Sequence, residues 1–211
     1  MHDHYRSGTL WLTTMMERFA PIGDTHLLVG LYGVSGSGKS TVMKILGLVN
    51  KALTVHTKDS TRKPGTNEDD LRCISEDEFR ANEANGVYEL IYYKYGNYYG
   101  IRRDQLRDAF ECRSIHCIII RDITALQILK RRYRLRALYF HADPETAVEH
   151  IRRRDREDPE QRLLRLREEY KEFIDHNTLF DHVIVNFWDV NNALLQLQRL
   201  FELWDRQQRL I

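Results

Sequence analysis

The octapeptide Gly33-Val34-Ser35-Gly36-Ser37-Gly38-Lys39-Ser40 fits G-x-x-x-x-G-K-[ST], a spacing of residue types suited to gripping phosphate. Its glycines allow a tight loop that turns backbone N–H groups toward phosphate oxygens, and a following helix start adds the positive end of its dipole. Lys39 supplies a mobile charge for the outer phosphates of a nucleotide, and Ser40 a hydroxyl for magnesium. The expected cradle is therefore Gly33, Ser35, Gly36, Ser37, Gly38, Lys39, Ser40 and Thr41. The flanks agree with it: Leu27 to Tyr32 reads as a strand and Thr41 to Leu46 as a helix, which is the order a P-loop requires. A glycine-rich turn would match the pattern by chance roughly one time in a hundred in a chain this long, and the flanks lower that further.

The elements that must hold this loop are those of an ordinary globular chain. It has 211 residues, 42% hydrophobic and 30% charged, enough for one sizeable core with a mobile lid. Thirty-two Lys and Arg balance 31 Asp and Glu, so at a net charge of +1 no global field recruits nucleic acid or a membrane. Cys73, Cys112 and Cys117 form no C-x-x-C pair, which suits packing roles in a reducing compartment. With no apolar run of membrane-spanning length and no signal-peptide pattern, the expected location is the cytoplasm.

Residues 1 to 26 form an N-terminal extension in which Leu10, Trp11, Met15, Met16 and Phe19 recur at helical spacing. From residue 27 to 211 strands and helices alternate. Ala52 to Thr57, Ile115 to Ile120, Ala137 to Phe140 and His182 to Val185 read as further strands, and the nearly continuous apolarity of Ile115 to Ile120 suits a central parallel strand. Lys58 to Gly65 reads as a loop, Tyr88 to Tyr95 as a strand, and Gly96 to Gly100 as a turn. Ser75 with Glu78 forms a capping box, Asp143-Pro144 and Asp158-Pro159 each open a helix, and Val190 to Trp204 carries the stripe of a terminal helix. This alternation implies a parallel α/β sandwich with right-handed crossovers.

Three further stretches narrow the choice. Ser60-Thr61-Arg62-Lys63-Pro64, then Tyr88-Glu89 through Gly96-Asn97-Tyr98-Tyr99-Gly100, then Asn186 after the last strand resemble the guanylate kinase superfamily in order and approximate spacing, over residues 27 to 205. The resemblance implies a three-layer α/β sandwich of the P-loop nucleoside monophosphate kinase type. It also implies a small acceptor-binding subdomain at about 57 to 101 and a lid at about 150 to 166. On it Arg62 and Tyr99 hold the acceptor phosphate, Asn186 lies near the adenine of ATP, and Arg154 and Arg165 act with Lys39 on the transferring phosphoryl group. The cofactors implied are ATP and magnesium, and the partner a small phosphorylated acceptor.

The positions that read guanine in that family are mostly changed, and so are a phosphate-binding tyrosine (Leu71) and a magnesium-shell aspartate (Ile120). Lys58 stands for a serine, Leu90 for a glutamate with Glu89 beside it, and Ile120 for an aspartate. Leu71 stands for a tyrosine and Ile101 for a hydroxyl residue, while Asp122 is retained. Asp122 has two readings, a base contact or the N-cap of the next helix. Poor discrimination for guanine follows, because base reading depends on paired hydrogen bonds. The expected activity is ATP-dependent phosphorylation of a nucleoside monophosphate with altered specificity. The short loop after Arg62 and the stretch Ile123 to Tyr133 also resemble ribose 1,5-bisphosphate phosphokinase. Kinases for a modified deoxynucleotide or a nucleic-acid hydroxyl are further alternatives, as is a non-catalytic scaffold, which the intact Lys39 and Ser40 oppose.

Overall fold

Strand β1 (Leu27–Gly33) is buried on both faces, and the two sets of side chains it sends out in alternation nucleate two separate cores. The computed structural model describes residues 26–50, 52–63, 70–112, 114–153, 159–186 and 189–209. On one face Leu27, Val29 and Leu31 pack with Val42, Met43 and Leu46 of α1 (Lys39–Val49). The same core takes the apolar stripe of the C-terminal helix, here α7 (Val190–Arg209). On the other face Leu28 and Tyr32 meet Leu126 and Leu129 of α4 (Ile123–Arg132), Ala147 of α5 (Pro144–Arg152) and Leu166 of α6 (Pro159–Asp175).

The main sheet has five parallel strands in the order β2-β7-β1-β8-β9, with β2 at Leu53–His56, β7 at Ile115–Ile119, β8 at Leu135–His141 and β9 at His182–Val185. With a helical layer on each side this is the expected three-layer α/β sandwich. The chain leaves β1 toward β2 on one side and later adds β8 and β9 on the other, which opens a crevice at the carboxyl ends of the strands. The P-loop sits at that end of β1.

The second sheet departs from the sequence expectation. Lys58–Ser60 forms strand β3 rather than a loop, and Asn97–Arg102 forms strand β6 rather than a turn. With β4 (Leu71–Cys73) and β5 (Tyr88–Lys94) they make a mixed sheet in the order β4-β3-β6-β5. Three-residue strands carry too little alternation to be legible; pairing with distant partners forms them, as Ser60 with Tyr99 and with Cys73. β5 and β6 are joined by a two-residue turn, Tyr95-Gly96, with φ of 51° and 77°, a pair of positive values whose twist matches a tight hairpin. The short α2 (Glu76–Ala84) is capped by the Ser75 hydroxyl, which accepts from the Glu78 N–H at 3.1 Å, while α3 (Arg103–Glu111) follows β6 directly. Among the described residues no helix is long and apolar enough to cross a membrane. The amphipathic stretch expected at residues 10 to 19 lies outside the described residues.

Candidate active site

The P-loop turns on three glycines in left-handed backbone: Gly33 (φ 147°), Gly36 (φ 82°) and Gly38 (φ 84°). Gly38 serves as the N-cap of α1, so the helix starts directly at Lys39. The Lys39 ammonium curls back into the loop, donating to Gly33 O at 2.7 Å, Val34 O at 2.8 Å and Ser37 Oγ at 3.1 Å. A cation held in the concavity of the loop by carbonyls is positioned to meet phosphate oxygens entering it. Ser40 is half-buried on the first helical turn and Thr41 beside it is exposed. Ser40 lines a cleft of about 480 Å³ together with Asp70, Lys44, Thr54 and Ile119.

Three tethers fix the loop from outside. Asn186, just past β9, donates from Nδ2 to Ser37 O at 3.0 Å, and its buried Oδ1 has no hydrogen-bond partner among the described residues. A ring nitrogen of His150 in α5 bonds Gly36 O at 2.7 Å. Glu169 of α6, 8% exposed, accepts from the Ser35 N–H at 2.6 Å and from Ser35 Oγ at 3.0 Å. Glu169 also accepts from the Tyr95 hydroxyl at 3.2 Å, and burial followed by the charge of Glu169 raises the Tyr95 phenol above its usual range. The Arg165 guanidinium lies 4.7 Å from the centre of the Tyr95 ring. One turn further along α6, Glu172 accepts from the Tyr32 hydroxyl and from Lys94 Nζ, the latter at 2.5 Å. Helix α6, whose first half falls in the expected lid, is thus joined both to the P-loop and to the hairpin of the second sheet. Arg154 lies outside the described residues.

On the opposite wall β3 and β6 carry the expected acceptor residues. The Thr61 N–H donates to Tyr98 O at 3.2 Å and Tyr98 N–H returns to Thr61 Oγ1 at 3.0 Å, so the pairing extends to the residue before Arg62. Tyr99 is buried and stacks on Tyr92, ring centres 5.0 Å apart. Lys58, fully buried, donates to Asp70 Oδ2 at 3.0 Å. Arg121, just after β7, clasps the same carboxylate with NH1 to Oδ2 at 2.9 Å and NH2 to Oδ1 at 3.3 Å. Burial alone would push the Asp70 carboxyl up, but Arg121 and Lys58 outweigh it and hold it at about 2. Lys39 also acts on Asp70, which places this cluster within electrostatic reach of the P-loop.

Other positions have local duties. Asp122 Oδ1 accepts from the Ala125 N–H at 2.8 Å, which makes Asp122 the N-cap of α4. Glu89 falls at an irregularity in the β5–β6 register, where it pairs with Arg132 at 2.9 Å and Arg103 at 3.6 Å. Leu90 and Leu71 pack at the edge of the second core, and Ile101 is within it.

The sequence profile of the guanylate kinase family matches residues 25–203. The chain belongs to the guanylate kinase family. That family binds nucleotides and uses ATP. Among curated relatives, a guanylate kinase of Cupriavidus metallidurans is 30% identical over 172 residues, covering 79% of this chain and 78% of that protein. A ribose 1,5-bisphosphate phosphokinase of Achromobacter xylosoxidans is 33% identical over 147 residues, covering 68% and 75%. The fold is also that of the guanylate kinase from Anaplasma phagocytophilum, with a TM-score of 0.63 at 18% identity, covering 85% and 86%. This guanylate kinase family member thus has relatives named for two different acceptors.

Asp70, Arg121, Tyr95 and Glu169 were not singled out by sequence reasoning. Arg121 carried a usable signal, since it follows a buried strand directly and so lies at the carboxyl edge of a parallel sheet. Asp70 closes the acidic run Glu68-Asp69-Asp70, which reads as solvated surface until its partners are seen.

Proposed function

We propose that this chain transfers the terminal phosphoryl group of ATP to a small acceptor that already carries a phosphate. The observation that carries the reading is the Lys39 ammonium held inside the P-loop concavity by Gly33 O and Val34 O, on a loop that Glu169 ties to the hairpin of the second sheet. Phosphoryl transfer asks little covalent chemistry of a protein; it asks for position and for positive charge around the migrating group. Lys39 and the amides at the start of α1 serve the donor. Arg62 has the fork of donors that suits a dianionic acceptor phosphate, and Tyr99, paired with Ser60 two residues earlier, is assigned to the same phosphate.

No general base is required when the acceptor is itself a phosphate. Magnesium, when bound with ATP, neutralises charge on the outer phosphates. Ser40 and Asp70 line one cleft and offer the hydroxyl and carboxylate oxygens that this ion prefers. Asp70 is already engaged by two cations, so it suits a water of the ion's shell better than the ion itself. Arg154 and Arg165 are assigned to lid closure, which excludes water from the donor phosphate.

The acceptor expected from sequence, a nucleoside monophosphate with non-standard base recognition, is compatible with Asp122 and Glu89 being occupied elsewhere. The test is ADP formation from magnesium ATP with a panel of phosphomonoesters, using Lys39→Ala as the blank. Arg62→Ala should raise the acceptor KM by about tenfold or more while leaving the ATP KM within about twofold. No transfer above the blank to any phosphomonoester would overturn the reading.

A further inference from the structure

The main sheet ends at β2, and along that edge the cleft of about 480 Å³ runs from Ser40 and Asp70 down between α1 and the outer strand. Away from those two polar groups its walls are largely aliphatic: Met43 and Leu48 of α1, Leu53 and Val55 of β2, and Ile119 of β7. Met43, Leu53 and Ile119 belong to the first core and Val55 packs against it, so the cleft is an open flank of that core. Leu48, at the end farther from the P-loop, is 66% exposed. A connected apolar surface of this kind marks a place where another element packs.

The sequence contains a segment fitted to it. Within residues 1–25, which precede the described chain, Leu10, Trp11, Met15, Met16 and Phe19 recur at helical spacing, with Thr13, Thr14, Glu17 and Arg18 on the other side. The segment 64–69, also outside the described residues, leads into Asp70 at the cleft but reads Pro-Gly-Thr-Asn-Glu-Asp, too polar to cover an aliphatic wall. The described chain starts at His26, and Leu27 of β1 and Leu53 of β2 both pair with Ile115 of β7. The entry point is therefore level with the Leu53 end of the cleft and two strand spacings from it, about 10 Å. Pro21 and Gly23 stop a helix after Phe19, and the six residues from Ala20 to Thr25 span up to about 20 Å when extended. A helix over residues 10 to 19 is about 15 Å long, against about 13 Å for α1 from Ser40 to Leu48.

We propose that the N-terminal segment covers this cleft within its own chain, residues 10–19 forming a helix whose apolar stripe lies against Met43, Leu48, Leu53 and Val55. It enters from the Leu53 end, so Phe19 lies nearest that end and Leu10 toward Ser40. This surface is separate from the phosphotransferase reading, and its test contains no turnover step.

The experiment uses the full chain with Cys112→Ser, which removes the exposed native thiol. In that background Leu48→Cys and Phe110→Cys are each labelled with a maleimide, and the labelling of the Cys112→Ser parent is subtracted. Phe110 is 45% exposed on α3, whose buried residues belong to the second core, so it serves as the reference. Left uncovered, Leu48→Cys should react at least as fast as Phe110→Cys. A cover closed nine-tenths of the time slows labelling about tenfold, and that is the expected ratio. Trp11→Asp/Met15→Asp, which breaks the stripe, should restore Leu48→Cys to within about twofold of the reference. A short bismaleimide should join Met15→Cys to Leu48→Cys within one chain, read by mass spectrometry, and should leave Met15→Cys and Phe110→Cys unjoined. A cooperative thermal transition certifies the fold of each variant.

Labelling of Leu48→Cys at the reference rate whether or not the stripe is intact would overturn the proposal. Slow labelling that Trp11→Asp/Met15→Asp leaves unchanged would assign the cleft a different cover, and cross-links found only between chains would assign it to a second copy; either result also overturns it.

Discussion

Glu169 holds Ser35 by two hydrogen bonds, from the main-chain N–H at 2.6 Å and from the side-chain hydroxyl at 3.0 Å, across 134 residues of sequence. The P-loop is therefore shaped partly from outside itself. Its third residue is clamped by α6, which begins within the expected lid, and the same carboxylate reaches Tyr95 at the tip of the second sheet's hairpin. Tyr95 is the single non-glycine residue with positive φ among those described, so the strained turn and the clamp occur together. The P-loop and the second sheet are joined through one side chain.

Removing that side chain should loosen both. Glu169→Ala leaves the Ser35 N–H without its acceptor, and a hydrogen bond to a charged group is worth about 1.5–3 kcal/mol. Urea unfolding should register a loss of that order, and the ATP Kd should rise about tenfold as the loop loses its set. Tyr95→Phe removes only the 3.2 Å contact and should cost under about 1 kcal/mol. An Ala variant that binds ATP as the wild type does would show the clamp to be structural only.

Two glycines of one helix, Gly38 at its N-cap and Gly47 in its body, should respond oppositely to the same change. Gly38→Ala puts a side chain into left-handed backbone, with its Cβ 2.5 Å from Asn186 Nδ2, the very group that tethers Ser37. Strain of this kind costs about 1–3 kcal/mol. Gly47, in the body of α1, has nothing within 4 Å of an added Cβ. Gly47→Ala should therefore stabilise by about 0.5–1 kcal/mol and raise Tm by about 2 °C, read by differential scanning calorimetry.

What the sequence made legible divides along physical lines. The P-loop and the strands of the main sheet are local signals: Lys39 follows its glycines, and Ile115–Ile119 is apolar because both its faces are covered. The Asp143 cap was legible for the same reason, its carboxylate accepting from Thr146 N–H at 2.9 Å. The second sheet was not, because Lys58–Ser60 and Leu71–Cys73 are strands only by virtue of each other and of β6. The cluster of Lys58, Asp70 and Arg121 was hidden for a related reason. Its members come from β3, the segment before β4 and the end of β7, and no sequence spacing brings them together. Lys58 stands for a serine in the family resemblance, and its burial against Asp70 is visible only in the structure.

Asn186 illustrates a residue whose place was expected and whose duty is double. Its Nδ2 holds Ser37 O, while Oδ1 is buried and unpartnered among the described residues, an acceptor facing no donor. Adenine carries an amine that can donate to such an oxygen, whereas guanine presents a carbonyl at the same position. Asn186→Ala should therefore raise the ATP KM by about three- to tenfold and reduce the preference for ATP over GTP, measured as the ratio of kcat/KM for the two donors.

The acid side of the stability profile should be set by a buried imidazole pair. His56 on β2 and His116 on β7 stack with ring centres 5.0 Å apart and share a hydrogen bond, Nε2 to Nδ1, at 2.7 Å, and His116 Nε2 meets Ser114 Oγ at 2.6 Å. Burial first, then the neighbouring His116, lowers His56 to about 4, against an opposing pull from Asp108 and Asp104 of α3; burial lowers His116 as well. Both are thus neutral in the folded protein while the unfolded chain takes up protons near the ordinary histidine value of about 6.5. Between those values the unfolded state binds more protons, so stability must fall as pH drops from about 6.5 toward 4. For His56 alone the loss is on the order of 3 kcal/mol at the lower end. Asp70 enters only below this window, its carboxylate contributing stability that is lost as pH falls from about 4 toward 2. Urea unfolding at pH 7, 5.5 and 4.5 should show the midpoint falling in the wild type. It should fall less in His56→Gln, which can still hydrogen-bond His116 but takes up no proton when unfolded.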